Sequence, residues 1–289
     1  ETLSVPKLRR ALETLGSRAA DVDVISNHCL HALPLQMAPQ LDVPMVTTLH
    51  TPVDDDFVRA HRAAAGRGST FLSVSEHTRR EWQHAGVAST LLANGVDPRV
   101  WTIGPGGDDL VWFGRIVPEK APHLAVAVAR ALGRRLTIAG RVGDRAYADE
   151  VLAPLLDDDV TLVGELTPRE LAVLVGRSAV ALATPAWAEP FGLVGPEALM
   201  CGTPVVGFAV GGVPEIAAAS IGMRLVGAGD VAAMADAVEA MWGHGRDPHF
   251  RRAVRARAVD RFSLDARTTA LEEIFASLST EAAPAELPA

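Results

Sequence analysis

Short apolar runs separated by helical stretches recur along this 289-residue chain, and that alternation is its strongest constraint. Strand-like runs stand at residues 22–26, 45–49, 70–74, 89–92, 110–113, 135–139, 160–163, 179–183 and 204–208. Helical patterns open the chain at 6–15 and fall near 33–39, 57–65, 76–84, 122–132 and 147–156. Three more, near 231–242, 248–262 and 264–278, close it. Strands alternating with helices make parallel βαβ units with right-handed crossovers. The expected class is α/β, and ligands in such sheets sit beyond the carboxyl ends of the strands.

The length suits two such units. Glycine and proline concentrate in TIGPGGDD (102–109), the best linker candidate. It divides the chain into domains at 1–106 and 107–263, with a C-terminal helix and flexible tail at 264–289. The tail from residue 280 is small, acidic and proline-containing, so fraying is expected there. A net charge of −8 argues against general binding to nucleic acid or to an anionic membrane. No apolar run reaches the roughly 18 residues of a membrane span, and the chain, which begins with Glu1 rather than Met, shows no signal-peptide pattern. Cys29 and Cys201 have neither CxxC nor metal-ligand spacing, which points to a reducing cytoplasm.

The stretch 183–202, ATPAWAEPFGLVGPEALMCG, is the richest in chemistry. It reads as a strand end, a loop carrying Glu189, and a helix from about Val194 carrying Glu197 one turn in. The N–H groups of Phe191, Gly192 and Leu193 at that helix start lack intrahelical partners and carry partial positive charge. Such a terminus suits an anion, and glycine allows close approach. Two carboxylates beside it suit a ligand with hydroxyls as well as phosphates, such as a nucleotide sugar.

Arg115 and Lys120 sit on another strand-to-helix loop, where a fork-shaped guanidinium and a point-like ammonium suit a diphosphate. Surface pairing, for example of Arg115 with Glu119, is the plainer alternative. His28 and His50 follow strand ends. His50 reads either as a backbone-bonded turn residue or as a cleft residue bonding a substrate hydroxyl. His28 and His31 resemble a metal pair by type, without a third ligand. Asp54, Asp55 and Asp56 read as a helix cap with first-turn acids. Neither a GxxxxGK[ST] phosphate loop, a GxGxxG fingerprint nor a GxSxG elbow occurs.

Three segments taken together resemble one family: GRIVPEK (114–120), EPFGLVGPEALMCGTPVV (189–206) and GGVPE (211–215). Their order and spacing are similar to those of retaining GT-B nucleotide-sugar glycosyltransferases, the family-four group (glycosyl transferases group 1). Upstream, PMVTTLH, SVSEHTRREW and ANGVD resemble that family's first domain. The resemblance implies a GT-B fold of two Rossmann-like domains facing across a cleft. It implies transfer of a hexose-type sugar with retention, from a UDP-sugar before other nucleotide sugars, without metal or other cofactor. The acceptor would be a small molecule, a glycan or a lipid-linked acceptor.

Residue by residue, Glu189 would contact sugar hydroxyls and Glu197 the ribose hydroxyls. Arg115 and Lys120 would grip the diphosphate. The N–H groups of Phe191, Gly192 and Leu193 would meet sugar and phosphates, and His50 would reach the transferred sugar. Gly114 and Gly140 would line the donor site. Two departures stand out. Ala121 occupies a position where the family usually has glycine, acceptable at negative φ. The first half lacks the family's opening strand and glycine-rich loop, so an incomplete first domain is expected. Two alternatives share the motifs: a GT-B-fold nucleotide-sugar epimerase, and a non-catalytic nucleotide-sugar-binding module.

Overall fold

The computed structural model describes residues 5–65 and 67–282. The fraying expected beyond residue 282 lies outside the described residues. The chain divides into two compact units, Glu1–Ala93 with Ala266–Ala289, and Asn94–Asp265.

In the first unit, β1 (Ile25–Asn27), β2 (Met45–Leu49), β3 (Thr70–Ser73) and β4 (Thr90–Leu91) form a parallel sheet in the order β1-β2-β3-β4. Every residue of β2 is buried, which fits a strand covered on both faces. On one face, Leu49 and Phe71 pack with Phe57 and Val58 of α3 (Asp55–Ala63) and Trp82 of α4 (Glu76–His84). On the other, Val46 and Leu72 meet Ala270, Leu271, Ile274 and Phe275 of α12 (Leu264–Ala282). The period of two along the strands sorts these side chains between the faces. The last helix was expected to stand apart. From Ala266 onward it is instead part of the first unit, because its apolar stripe covers the second face of that sheet. The remaining helices here are α1 (Val5–Ser17) and α2 (Leu33–Met37). Ser75 and Asp54 cap α4 and α3 by accepting from Thr78 and Phe57 N–H, as their positions predict.

The second unit holds a six-stranded parallel sheet in the order β10-β9-β8-β5-β6-β7. The strands are β5 (Leu110–Phe113), β6 (Leu136–Ala139), β7 (Val160–Gly164), β8 (Val180–Ala183), β9 (Val205–Phe208) and β10 (Met223–Val226). Strand order reverses between β5 and β8, so the crevice at their carboxyl ends is the topological switch point where ligands bind in such sheets. Crossovers are α5 (Pro122–Leu132), a short α6 (Arg145–Tyr147), α7 (Pro168–Gly176), α8 (Val194–Met200) and α9 (Val213–Ala219), and α10 (Val231–Trp242) and α11 (Pro248–Phe262) follow the last strand. Gly133 ends α5 in the left-handed conformation, and Thr167 with Glu170 forms the expected capping box on α7.

Two expectations fail here. TIGPGGDD is not a free linker: Gly104 N–H bonds Cys201 O at 3.1 Å and Gly106 N–H bonds Gly176 O at 2.9 Å. A side chain at Gly104 would stand 2.2 Å from Gly176 O, and one at Gly106 would stand 2.1 Å from Gly245 O. These glycines serve close backbone approach, and the compact second unit accordingly starts at Asn94. The helix expected over 147–156 is broken into α6, a π turn (Ala148–Leu152) and a 3-10 turn (Ala153–Leu155). Pro154 has no N–H to continue an α-helical ladder. Among the described residues, no helix is long and apolar enough to cross a membrane.

Candidate functional site

The loops after β5 and β8 are stitched together at the switch point. Buried Thr184, just past β8, accepts from Trp112 Nε1 at 2.9 Å. Its hydroxyl lies 3.1 Å from Lys120 O and 3.0 Å from Ala121 O. Ala186 N–H donates to Glu119 O at 2.8 Å. The conformation of one loop therefore fixes that of the other. Ala121 joins Lys120 to α5 with φ of +46° and is fully buried. The condition for accepting alanine here, a negative φ, is not met: the chain passes from the Pro118–Lys120 turn into α5 through the left-handed region. For a residue with a Cβ that costs about 1–2 kcal/mol.

This stitching brings the Lys120 ammonium into an ion pair with Glu189 Oε2. Glu189 is only 8% exposed, so its carboxylate needs donors. It has a second one: Trp187 Nε1 donates to the same oxygen at 2.8 Å. Lys120 Nζ also stands 5.5 Å from the centre of the Trp187 ring. Oε1 of Glu189 has no partner among the described residues. Arg115 is not part of this cluster; it pairs with Glu119 at 3.5 Å, half exposed.

Downstream of Glu189, the N–H groups of Phe191, Gly192 and Leu193 find no partner among the described residues. Gly192 has φ of +95°, and a side chain there would meet Val213 Cγ2 at 3.2 Å and Glu189 Cγ at 3.5 Å, so the backbone of Gly192 passes beside the Glu189 side chain. The seven-residue α8 is anchored from behind: Arg251 and Arg255 of α11 donate to the carbonyls of Cys201 and Met200 at its end. Glu189 O accepts from Gly212 N–H at 2.8 Å, which ties the GGVPE turn to the same loop. The carboxyl of Glu197 has no partner among the described residues, and burial pushes it up to about 7. Gly114 and Gly140 sit at the ends of β5 and β6, where Gly114 N–H bonds Ala139 O at 3.1 Å. A side chain on Gly140 would collide with Gly114 O.

In the first unit, His50 follows β2 and His28 follows β1. His28 Nδ1 is 2.8 Å from His50 Nε2, and Trp82 Nε1 holds Thr51 O at 3.1 Å. His50 is lowered to about 4, first by burial and then by His28 and Arg267. His31 does not join His28; its Nδ1 accepts from Leu33 N–H. Among the described residues no group of three or more His, Cys, Asp or Glu could hold a metal ion.

Lys120, Glu189 and Gly192 thus come together as the sequence suggests, whereas Arg115 turns to Glu119. Thr184 and Trp187 escaped notice. The one signal was an indole two residues before a buried carboxylate.

The profile described as Glycosyl transferases group 1 matches residues 97–253, more than half of the chain. The chain belongs to that family. A second profile, Glycosyltransferase Family 4, matches residues 2–100. This group 1 protein is 36% identical over 169 residues to a D-inositol 3-phosphate glycosyltransferase of Frankia alni, a match covering 54% of this chain and 41% of that one. A Mycolicibacterium smegmatis protein of the same name is 36% identical over 162 residues, covering 50% and 37%. The matched segment is thus about two-fifths of these relatives' length. Among solved structures, Anabaena Alr3699/HepE in complex with UDP superposes with a TM-score of 0.80 at 20% identity, covering 94% of this chain and 82% of that one. Together with the two parallel-sheet units, this establishes the GT-B fold, with a shorter first domain.

Proposed function

We propose that this group 1 protein is a retaining glycosyltransferase that moves a hexose from a UDP-sugar to an acceptor hydroxyl without a metal ion. The observation that carries the reading is the Lys120–Glu189–Trp187 cluster beside the partnerless amides of 191–193. The UDP and UDP-glucose complexes of the Anabaena protein support the choice of donor.

In this reading the donor diphosphate lies against the amides of Phe191, Gly192 and Leu193. Lys120 has three N–H donors, so it can keep Glu189 Oε2 and still reach a phosphate oxygen. Arg115 would leave Glu119, an exposed pair worth little, to take another. As the C1–O bond breaks, negative charge grows on the departing phosphate. Donors already fixed in place hold that charge more tightly in the transition state than before it, and that difference lowers the barrier. Glu189 Oε1 accepts a sugar hydroxyl, and Glu197 takes the ribose hydroxyls. His50, neutral at physiological pH, bonds a hydroxyl of the transferred sugar. Gly114 and Gly140 leave room for the nucleotide. The acceptor attacks on the face the phosphate leaves, which retains configuration. The fixed cation and amides stand in for a divalent ion, and the unpaired Cys29 and Cys201 suit a cytoplasmic setting.

Incubating the chain with UDP-glucose and following the anomeric carbon by NMR tests this. Transfer, or slow hydrolysis, with the α configuration kept and undiminished by chelator is the expected result. Glu189→Gln should slow it at least about tenfold, or about 1.4 kcal/mol. Epimer formation, or a donor bound and unchanged, would contradict the reading.

A further inference from the structure

The six-stranded sheet leaves an apolar hollow uncovered at its β7 edge. β7 ends the strand order, so among the described residues no strand pairs with its outer side. Val160 is buried, whereas Thr161 and Val163, on the opposite face by the period of two, are exposed. Val163, Leu166, Glu170, Val173, Leu174 and Arg177 line a hollow of about 300 Å³ between this strand and α7. Val173 is 64% exposed and Val163 46%. The inner face of α7 is already filled by Ala172, Leu174 and Val175, which are buried. Apolar side chains scattered singly on a surface are ordinary, but these two valines share one concave patch.

The charges around the hollow stand in a self-complementary order. Glu170, Val173 and the C-cap Arg177 are spaced i, i+3 and i+7, which puts them on one stripe of α7. The helical rise sets Glu170 about 4.5 Å before Val173 and Arg177 about 6 Å after it. Within one chain the two charges are therefore about 10 Å apart along the axis, too far to pair. Glu170 Oε2 accepts from Thr167 N–H at 2.9 Å and from its hydroxyl at 2.6 Å, which leaves Oε1 to another donor. The Arg177 guanidinium has no partner among the described residues. A two-fold axis through Val173 would run two copies of α7 antiparallel. The order acid, apolar, base then faces base, apolar, acid. Glu170 comes level with the partner's Arg177 to within about 1.5 Å, a gap that a long arginine spans.

We propose that this face docks a second copy of the chain, α7 against α7, with Val173 packed on the partner's Val173 over the two hollows and a Glu170–Arg177 pair at either end. Covering the valines supplies the attraction. The end pairs set the direction, because a parallel approach would put Glu170 against the partner's Glu170. One nine-residue helix and one edge strand bury less than the roughly 1,200 Å² of a standard stable interface, so the dimer is weak and forms with concentration. Neither Lys120 nor Glu189 belongs to this face, and the inference does not rest on the glycosyl-transfer reading.

The test is sedimentation equilibrium of the whole chain from about 10 μM to about 1 mM, the range in which a weak dimer forms. The average mass should climb from one chain towards two. Val173→Asp should stay a monomer throughout, and Arg177→Glu should weaken association at least about tenfold, since both end pairs become acid against acid. Adding Glu170→Arg to Arg177→Glu exchanges the charges, restores both pairs and should recover the parent's association. Should that double variant melt well below the parent, Glu170→Gln keeps the capping-box acceptor and should still weaken the dimer. A single-chain mass at every concentration would leave the face to some other occupant and overturn the proposal. So would a dimer indifferent to Val173→Asp, or a folded charge-exchanged variant no stronger than Arg177→Glu alone.

Discussion

Arg251 and Arg267 are both drawn out of water on the last two helices, and their surroundings could hardly differ more. Arg251, 1% exposed, donates to the carbonyls of Gly104, Ser178, Gly245, Gly176 and Cys201 and to Thr203 Oγ1. Burial lowers it only to about 10, so it stays charged at neutral pH. Arg267 keeps a buried nitrogen, Nη1, that has no partner among the described residues. A guanidinium whose donors are all answered by its own fold is a structural rivet. One left open is a cost the fold carries. The same contrast holds among carboxylates: Glu189 is held by Lys120 and Trp187, whereas the carboxyl of Glu197 has no partner among the described residues.

Replacing the rivet should show the largest effect. Arg251→Met takes a donor from five carbonyls, of which those of Gly176 and Cys201 keep the N–H of Gly106 and Gly104, and should destabilise the chain by about 3–5 kcal/mol in a denaturant titration. A loss below 1 kcal/mol would erase the contrast with Arg267. Glu197→Gln comes next, in the opposite direction. A carboxyl raised from 4.5 to about 7 favours the protonated native state, so wild-type stability is full below 4.5 and falls as pH rises through 7. Glutamine mimics the protonated form, so the variant should gain on wild type across that window, by at most about 3 kcal/mol above it. A gap that is flat with pH would mean that Glu197 does answer to some partner. Arg267→Leu removes an orphan donor and should melt at or above the wild-type temperature, gaining up to about 1–2 kcal/mol. The smallest change is Ala121→Gly: relief of the left-handed strain slightly outweighs the extra freedom of the unfolded chain, for a gain of about 1 kcal/mol or less.

The contrast also explains what could be read in advance. Both sheets were legible because buried strands such as VALA and LVWF leave continuous apolar runs. The switch-point loops were legible because Lys120, Glu189 and Gly192 each carry chemistry that a loop rarely needs for folding alone. What stayed hidden was contact between residues far apart in sequence. TIGPGGDD looks like a linker by composition, yet its glycines are there to let the carbonyls of Gly176 and Gly245 come close. The second face of the first sheet is covered by α12, nearly two hundred residues downstream of β3 (Leu271 against Leu72). β10 went unread because four residues at a sheet edge, with Arg224 exposed, make too short a pattern. The left-handed Ala121 breaks the expectation that such a backbone carries glycine.

The donor site rests on Lys120, and calorimetric titration of UDP-glucose into wild type and Lys120→Ala tests it most directly. The lysine variant should fold, keep its Trp187–Glu189 bond, and bind UDP-glucose at least about tenfold more weakly, a loss of about 1.4 kcal/mol or more. Equal affinity in the two proteins would place the diphosphate elsewhere and contradict the site.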